Sequence, residues 1–336
     1  MNKPLFIGSF LSSTRGTKGL AESLANFLAE EEIYLKLASK HENKILRILD
    51  IVFSIFFHKG QIVHVDVFSG NAFNIAVIGS YVARLRKKKV ILTLHGGKLA
   101  EFAIDNMQSI RSLLDNANYI QTPSKFLQSF FLKHEFEINY LPNPIKMENF
   151  PFKRKIVKNN SLLWVRAFSS IYNPEIPIRV LHELRKKNKN CTLTMIGPDL
   201  GLLYKSKELV NKLNLEDFVT FMGSVPNHSL FKYYQSHQVY LNTTSYESFG
   251  VAVLEAASCG IPIVSNNVGE IPFLWNDKED IMLVENNNIN MYCNYINKLF
   301  DSSDFSSKLS LSARKKSERF NWSEIKNEWV KILSKN

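Results

Sequence analysis

Residues 247–255 read Glu-Ser-Phe-Gly-Val-Ala-Val-Leu-Glu and run on into Ala-Ala-Ser-Cys-Gly-Ile-Pro-Ile-Val-Ser (256–265) and then Asn-Val-Gly-Glu-Ile-Pro (267–272). A strand-like run at 239–243 ends in a polar loop just before them. A helix is expected to open near 248–250, with Val251, Leu254 and Ala257 on one apolar stripe. Gly260 suits a left-handed helix stop, and a buried strand at 261–265 follows. Glu247 then sits in the loop at a strand's carboxyl end, and Glu255 lies about two turns into the helix. The N–H groups of Phe249 and Gly250 point out of the helix N-terminus, where an anion can dock. Two carboxylates beside an anion site suit a phosphate with hydroxyl-rich groups on either side, the layout of a nucleotide-linked sugar. The plainer reading of the bare pair is a loop charge and a helix-surface charge.

Outward from this stretch, apolar strand runs alternate with helical ones. Strands are expected at 5–10, 62–67, 90–94, 120–121 and 139–141, with helices at 18–32, 72–86, 97–116 and from Ser124 to His134 between them. The three prolines and basic residues of 142–154 read as a boundary. A second cycle follows, with strands at 162–165, 192–196, 219–221, 239–243 and 261–265. Its helices come after Pro174 and at 206–213 and 229–236, before the one holding Glu255. Helices at 290–300 and 305–320 and a tail at 322–333 end the chain. Such alternation calls for α/β architecture: two Rossmann-like lobes, each a parallel sheet covered by helices, facing a cleft.

Composition agrees and excludes several classes. At 336 residues the chain exceeds one usual core, and 45% hydrophobic with 22% charged residues is ordinary for a soluble protein. The apolar run after Met1 is short, broken by Gly8 and without a small-residue cleavage site, so it reads as a first strand rather than a leader. No stretch is long and uncharged enough to span a bilayer. Cys191, Cys259 and Cys293 are odd in number and far apart, as reduced core thiols of a cytoplasmic protein would be. The net charge of +11 comes without zinc spacing, RNP-like aromatics or a helix-turn-helix signal, which argues against nucleic acid. Phosphate-bearing small molecules and an anionic membrane surface are the expected partners. Arg84, Arg86, Lys87, Lys88 and Lys89 form the densest basic run, either a solvated helix end or a docking patch. No Asp-x-Asp and no histidine–carboxylate cluster occurs, so neither a metal nor another cofactor is expected. The absence of Gly-x-Gly-x-x-Gly argues against hydride transfer.

Ser245-x-Glu247-Ser-Phe-Gly250, Glu255-Ala256, Gly260-x-Pro262-x-Val264 and the Val-Gly-Glu-Ile-Pro loop resemble the donor-site signature of family 4 retaining glycosyltransferases, which have the GT-B fold. The resemblance implies a lobe at 1–150 on the acceptor side, a nucleotide-sugar-binding lobe at 151–318 and a tail at 319–336 crossing back onto the first lobe. It also implies that Glu247 binds the transferred sugar's hydroxyls, that Phe249, Gly250 and Val251 give backbone contacts to sugar and phosphate, and that Glu255 takes the two ribose hydroxyls. Val225 is the matching backbone contact to the base, though Gly223 and Pro226 also fit a plain turn.

In the family an arginine at the end of the second lobe's first strand and a lysine shortly after it hold the diphosphate. Here Arg166 takes the first place and Asn173 falls at the second. Asn173-Pro174-Glu175 reads as an N-cap, first-turn proline and early acid, so a helix N-terminus substitutes for the missing cation. Gly16 matches the position where backbone approaches the phosphates, and Arg15, where other members often carry glycine, either adds charge or points outward. His95, before two glycines at a strand's carboxyl end, matches the histidine beside the transferred sugar. Ser124 and Asn143 also match, but capping and turn roles explain them equally well.

The acceptor is expected in the first lobe and has no code there. Residues 45–59, apolar on nearly all sides, are either a buried core helix or an interfacial one, and the same question attaches to Phe126, Leu127, Phe130 and Phe131. An interfacial helix would make a lipid-linked acceptor and peripheral membrane association the natural reading. Two other functions share this architecture. A sugar-nucleotide epimerase needs acid–base groups on the sugar ring, against which the Glu-Ser-Phe-Gly context argues. A non-catalytic binding relative is argued against by the joint presence of His95, Arg166, Glu247 and Glu255.

Overall fold

The computed structural model describes residues 3–334 except 9, 11–18, 39, 40, 42, 97, 154–157, 188 and 189. The chain divides into two compact units, 1–144 with 322–336, and 145–321.

In the first unit the chain runs β1 (Leu5–Ile7), α1 (Leu20–Glu30), β2 (Lys36–Ala38), α2 (Lys44–Phe56), β3 (Ile62–Val67), α3 (Asn71–Leu85), β4 (Lys89–Leu94), α4 (Leu99–Asp105), α5 (Met107–Leu114), β5 (Tyr119–Thr122), α6 (Lys125–Lys133) and β6 (Asn139–Tyr140). The strands form one six-stranded sheet in the order β2-β1-β3-β4-β5-β6, with every pair parallel. Leu5, Val63, Val65, Leu92 and Leu94 are fully buried because helices cover both faces, as parallel sheets require. The order reverses between β1 and β3, and such switch points open a crevice at the strands' carboxyl ends.

The second unit runs β7 (Ser161–Val165), α7 (Glu175–Lys186), β8 (Thr192–Ile196), α8 (Leu203–Lys212), β9 (Val219–Gly223), α9 (Asn227–Ser236), β10 (Val239–Asn242), α10 (Val251–Cys259), β11 (Ile263–Asn266), α11 (Ile271–Leu274), β12 (Met282–Val284), α12 (Ile289–Asp301) and α13 (Ser303–Ser317). Its sheet is again wholly parallel, in the order β12-β11-β10-β7-β8-β9, with the switch between β7 and β10. The last helix, α14 (Trp322–Ser334), belongs to the first unit. There the Trp322 indole donates to Glu31 at 3.2 Å, and Lys326 pairs with the same carboxylate at 3.0 Å.

Several elements differ from the sequence reading. The units divide at 144/145 and 321/322 rather than near 150 and 318. Ile145 N–H donates to Phe320 O, Met147 N–H to Asn321 Oδ1 and Lys153 N–H to Cys259 O, which ties 145–153 to the second unit. The helix expected over 97–116 is two helices, because the Asn106 side chain caps the Phe102 carbonyl and competes with the ladder. β2 and β12 are edge strands of three residues, too short to carry a period in the sequence. α10 is buried from Ala252 to Cys259 on all sides rather than along one stripe, and it stops at Gly260 with φ +83°. Glu255 lies just over one turn into it, not two. The three cysteines are buried free thiols.

Candidate functional site

Two side chains meet at the switch point of the second sheet. Arg166 follows β7, and Glu247 sits in the loop after β10; the Arg166 Nη2 to Glu247 Oε2 distance is 2.5 Å, with both side chains almost fully buried. Arg166 also donates from Nε and Nη2 to Asn242 Oδ1 at 3.3 and 3.1 Å, and its guanidinium lies over the Tyr172 ring, 5.3 Å from the centroid. Burial opposes the guanidinium's charge, but Glu247 and the phenols of Tyr240, Tyr172 and Tyr234 outweigh it and hold the proton more tightly than usual. Charge-assisted hydrogen bonds in a dry pocket are strong, so this pair is a fixed cation beside a fixed anion.

The loop holding Glu247 is shaped by its neighbour, residues 266–272. Glu270 N–H donates to Glu247 O at 3.0 Å. A Cβ on Gly269 would lie 2.0 Å from that oxygen, and its φ is +54°, so the close approach admits glycine alone. Phe249 N–H points to Glu247 Oε1 at the long distance of 3.5 Å, while the Phe249 ring is buried edge-on to Phe320. α10 begins at Val251 with Gly250 as N-cap, so the first N–H groups of α10 have no intrahelical acceptor.

Glu255 is the second carboxylate. Asn227 Nδ2 donates to its Oε1 at 2.9 Å and the Tyr234 hydroxyl to its Oε2 at 3.1 Å. Burial raises its pKa, and these two bonds and the Arg166 charge oppose the rise. Each oxygen keeps a lone pair for one further donor, as a vicinal diol would supply. Val225 lies two residues before Asn227, in the turn between β9 and α9. The Tyr240 phenol, on β10 of the same sheet, is pushed well above its usual range by burial, with Glu247 and Glu255 raising it and Arg166 lowering it.

Asn173 is not the helix cap that the sequence predicts. It adopts φ +47°, and Pro174 takes the cap position without a side-chain bond. Asn173 Nδ2 instead donates to Thr243 O at 2.9 Å and Ser245 Oγ at 2.7 Å, bracing the loop that leads to Glu247. A short amide reaching across two loops cannot also be a free cap.

In the first unit His95 follows β4, its N–H bonded to Val67 O. Its Nε2 lies 3.1 Å from Asp66 Oδ1, and its ring stacks on Phe68 at 5.1 Å. A carboxylate only accepts, so Nε2–H donates and Nδ1 is left for another partner. Asp66 lies near the end of β3, at the switch point, beside the end of β1. A Cβ on Gly8 would meet Asp66 Oδ2 at 2.9 Å. Behind it His64 is fully buried, bonded through Nε2 to Thr93 Oγ1 at 2.6 Å. Desolvation lowers its pKa to about 4 against the opposing charge of Asp66.

The structure thus gathers Arg166, Asn173, Glu247, Phe249, Gly250, Val251 and Glu255 at one edge of the second sheet, and sets His95 at the corresponding edge of the first. Gly16, with Arg15 and Gly97, lies outside the described residues. Ser124 caps α6 by accepting from Leu127 N–H, and Asn143 is buried near Asp66 and His95. Asp66, Asn227, Tyr234 and Asn242 escape the sequence reading. Only their places at strand ends and on a facing helix single them out, and these need the topology.

The family described as glycosyl transferases group 1 matches residues 146–316, just over half of the chain. A D-inositol 3-phosphate glycosyltransferase of Frankia alni is 25% identical over 170 residues, covering 48% of this chain and 42% of that protein. An uncharacterised glycosyltransferase of Haemophilus influenzae is 29% identical over 185 residues, 54% of this chain and 51% of that one. The chain therefore matches about half the length of these relatives or less. Among solved structures, Anabaena Alr3699/HepE in complex with UDP and glucose superposes with a TM-score of 0.79 at 16% identity, covering 99% of this chain and 100% of that one. Sucrose-phosphate synthase from Thermosynechococcus elongatus gives a TM-score of 0.81 at 15% identity, covering 98% of each chain. These likenesses carry the fold: the two parallel-sheet units are those of the GT-B architecture.

Proposed function

Because the chain belongs to the glycosyl transferases group 1 family, we propose that it moves a sugar from a nucleotide-diphosphate sugar to a glycan or lipid-linked acceptor, with retention of configuration, in cell-surface polysaccharide or glycolipid synthesis. The observation that carries the reading is the buried Arg166–Glu247 pair at the switch point, with Glu255 about one turn along the adjoining helix. That the Anabaena HepE structure holds UDP and glucose supports a nucleotide-sugar donor.

In this reading Arg166 and the N-terminus of α10 offset the diphosphate charge as it grows, the largest source of rate in reactions of this kind. Glu247 holds the sugar's hydroxyls and Glu255 the ribose diol. His95 positions the sugar or meets the charge that develops on it. The bond from sugar C1 to the phosphate oxygen breaks with its electron pair going to the phosphate. The acceptor oxygen bonds C1 on the same face, and its proton passes to the departing phosphate. The positive groups are the protein's own, so turnover is proposed to need no divalent cation and to survive EDTA.

A panel of nucleotide sugars tested by thermal shift identifies the donor, which raises the melting temperature by mass action. Donor hydrolysis or transfer should follow for the same compound. A panel in which no nucleotide sugar shifts melting and none is consumed refutes the reading.

A further inference from the structure

We infer that the outer face of α2, together with the end of α3, docks onto the surface of an anionic lipid bilayer. At 3.6 residues per turn, Ile45, Leu49, Phe53 and Phe56 share one narrow arc of α2, flanked by Leu46 and Phe57. Ile51 and Ile55 occupy the opposite arc and are buried in the core. All six outer residues are exposed, Ile45 by 70% and Phe57 by 68%. The helix thus settles the choice between core and interface by doing both: one face packs inward and the other is bare. Its aromatic rings lie against each other, Phe53 stacked on Phe57 at 6.4 Å and Phe56 edge-on to Phe57 at 5.4 Å. Monomers rarely leave so large an apolar patch to water without a use for it.

The charge around this face names the occupant. α3 packs beside α2, exposes Tyr81, Arg84 and Leu85, and is followed by Arg86, Lys87 and Lys89, also exposed. The Arg86 guanidinium lies 4.7 Å from the Phe56 ring centroid, so cationic charge stands at the rim of the apolar face. Residues 44–59 and 71–89 hold eight lysines and arginines and one acidic residue, Asp50. Asp50 is half-buried and accepts from Ser54. Apolar and aromatic side chains ringed by cations are the composition of a helix that lies in the interface of an anionic membrane. No helix among the described residues is long and apolar enough to cross a membrane, so the contact is adsorption to the surface.

The test is co-sedimentation of the full chain with vesicles of phosphatidylcholine alone and of phosphatidylcholine mixed with phosphatidylglycerol, at low and high salt. The mixed vesicles should retain the protein, and salt should release it. Phe53→Ser with Phe57→Ser, and separately Arg84→Glu, Arg86→Glu and Lys87→Glu together, should each weaken retention at least about tenfold. Melting temperature reports that the variants fold, and nucleotide-sugar binding, whose residues lie elsewhere, separates failure here from failure of the proposed reaction. Three results overturn the inference: no retention by mixed vesicles, equal retention of wild type and variants, or concentration-dependent self-association that Phe53→Ser with Phe57→Ser abolishes, which would make a second copy the occupant.

Discussion

Replacing Arg166 by methionine keeps most of the side-chain bulk and removes the charge from the dry pair with Glu247. The structure sets two separate consequences. The carboxylate of Glu247 and the Asn242 Oδ1 each lose a donor while staying buried, and breaking a buried ion pair by removing one partner costs about 3–5 kcal/mol. At about 2–4 °C per kcal/mol for a unit of this size, the melting temperature should fall by roughly 6–20 °C. Turnover should fall independently, by about 100- to 1,000-fold, the loss expected when one fixed donor to a developing charge is removed. The second substitution Glu247→Gln separates the two effects, because it removes the stranded charge. Arg166→Met with Glu247→Gln should recover most of the lost melting temperature and none of the turnover. Calorimetry and single-turnover donor consumption read both quantities on the same samples. If Arg166→Met melts with wild type, the pair is not dry as described; if it turns over at a near-normal rate, Arg166 has no part in the reaction.

Glu255→Gln, read by calorimetric titration with the donor's nucleoside diphosphate, should weaken binding by about 10- to 150-fold, the worth of hydrogen bonds to a charged group, and an unchanged affinity would take Glu255 off the ribose. Asp66→Asn should lower kcat by roughly 100-fold with little change in donor affinity, because the imidazole loses the carboxylate that orients its tautomer; a proportional rise in KM instead would mark a binding role. Gly269→Ala forces a Cβ onto the Glu247 carbonyl oxygen and should lower the melting temperature and turnover together, whereas wild-type melting would mean the loop yields freely. His64 has its pKa lowered to about 4 in the fold against an unfolded value near 6.5, so the neutral form is favoured by folding. That stability is fully present above pH 6.5 and is lost as pH falls toward 4. Between pH 7 and pH 5 denaturant unfolding should lose about 2 kcal/mol from this group, and His64→Gln should remove that part of the slope; an unchanged slope would refute the assignment.

The elements legible in the sequence are those whose burial dictates composition. Residues 62–67 and 192–196 are short runs rich in β-branched and apolar residues, as strands covered on both faces are, and the structure places β3 and β8 there. Glu247 and Glu255 are legible through the residues around them, since Gly250, Gly260 and Gly269 take left-handed backbone that favours glycine, and Arg166 is legible as the residue that ends the strand-like run 161–165. Asn173 misled because Asn-Pro-Glu is a good helix start locally, yet two acceptors from a loop seventy residues later claim its amide. Asp66 was invisible for a related reason. A lone aspartate in an apolar strand carries no signal until the order β1-β3-β4 sets it beside Gly8 and His95. The division of α2 into a packed face and a bare one was hidden as well, because a helix apolar all round says nothing about how much of it the core will take.

The first unit is interrupted in the chain by the whole of the second. A nascent chain therefore completes the contiguous segment 145–321 while its opening sheet still lacks α14. Until residues 322–334 emerge, His64 is without the edge-on Trp329 ring and Glu31 without Trp322 and Lys326. Damage confined to this late segment should therefore register as instability of strands laid down some two hundred and fifty residues earlier, and a chain halted at 321 should release an intact second unit attached to an unfinished first one.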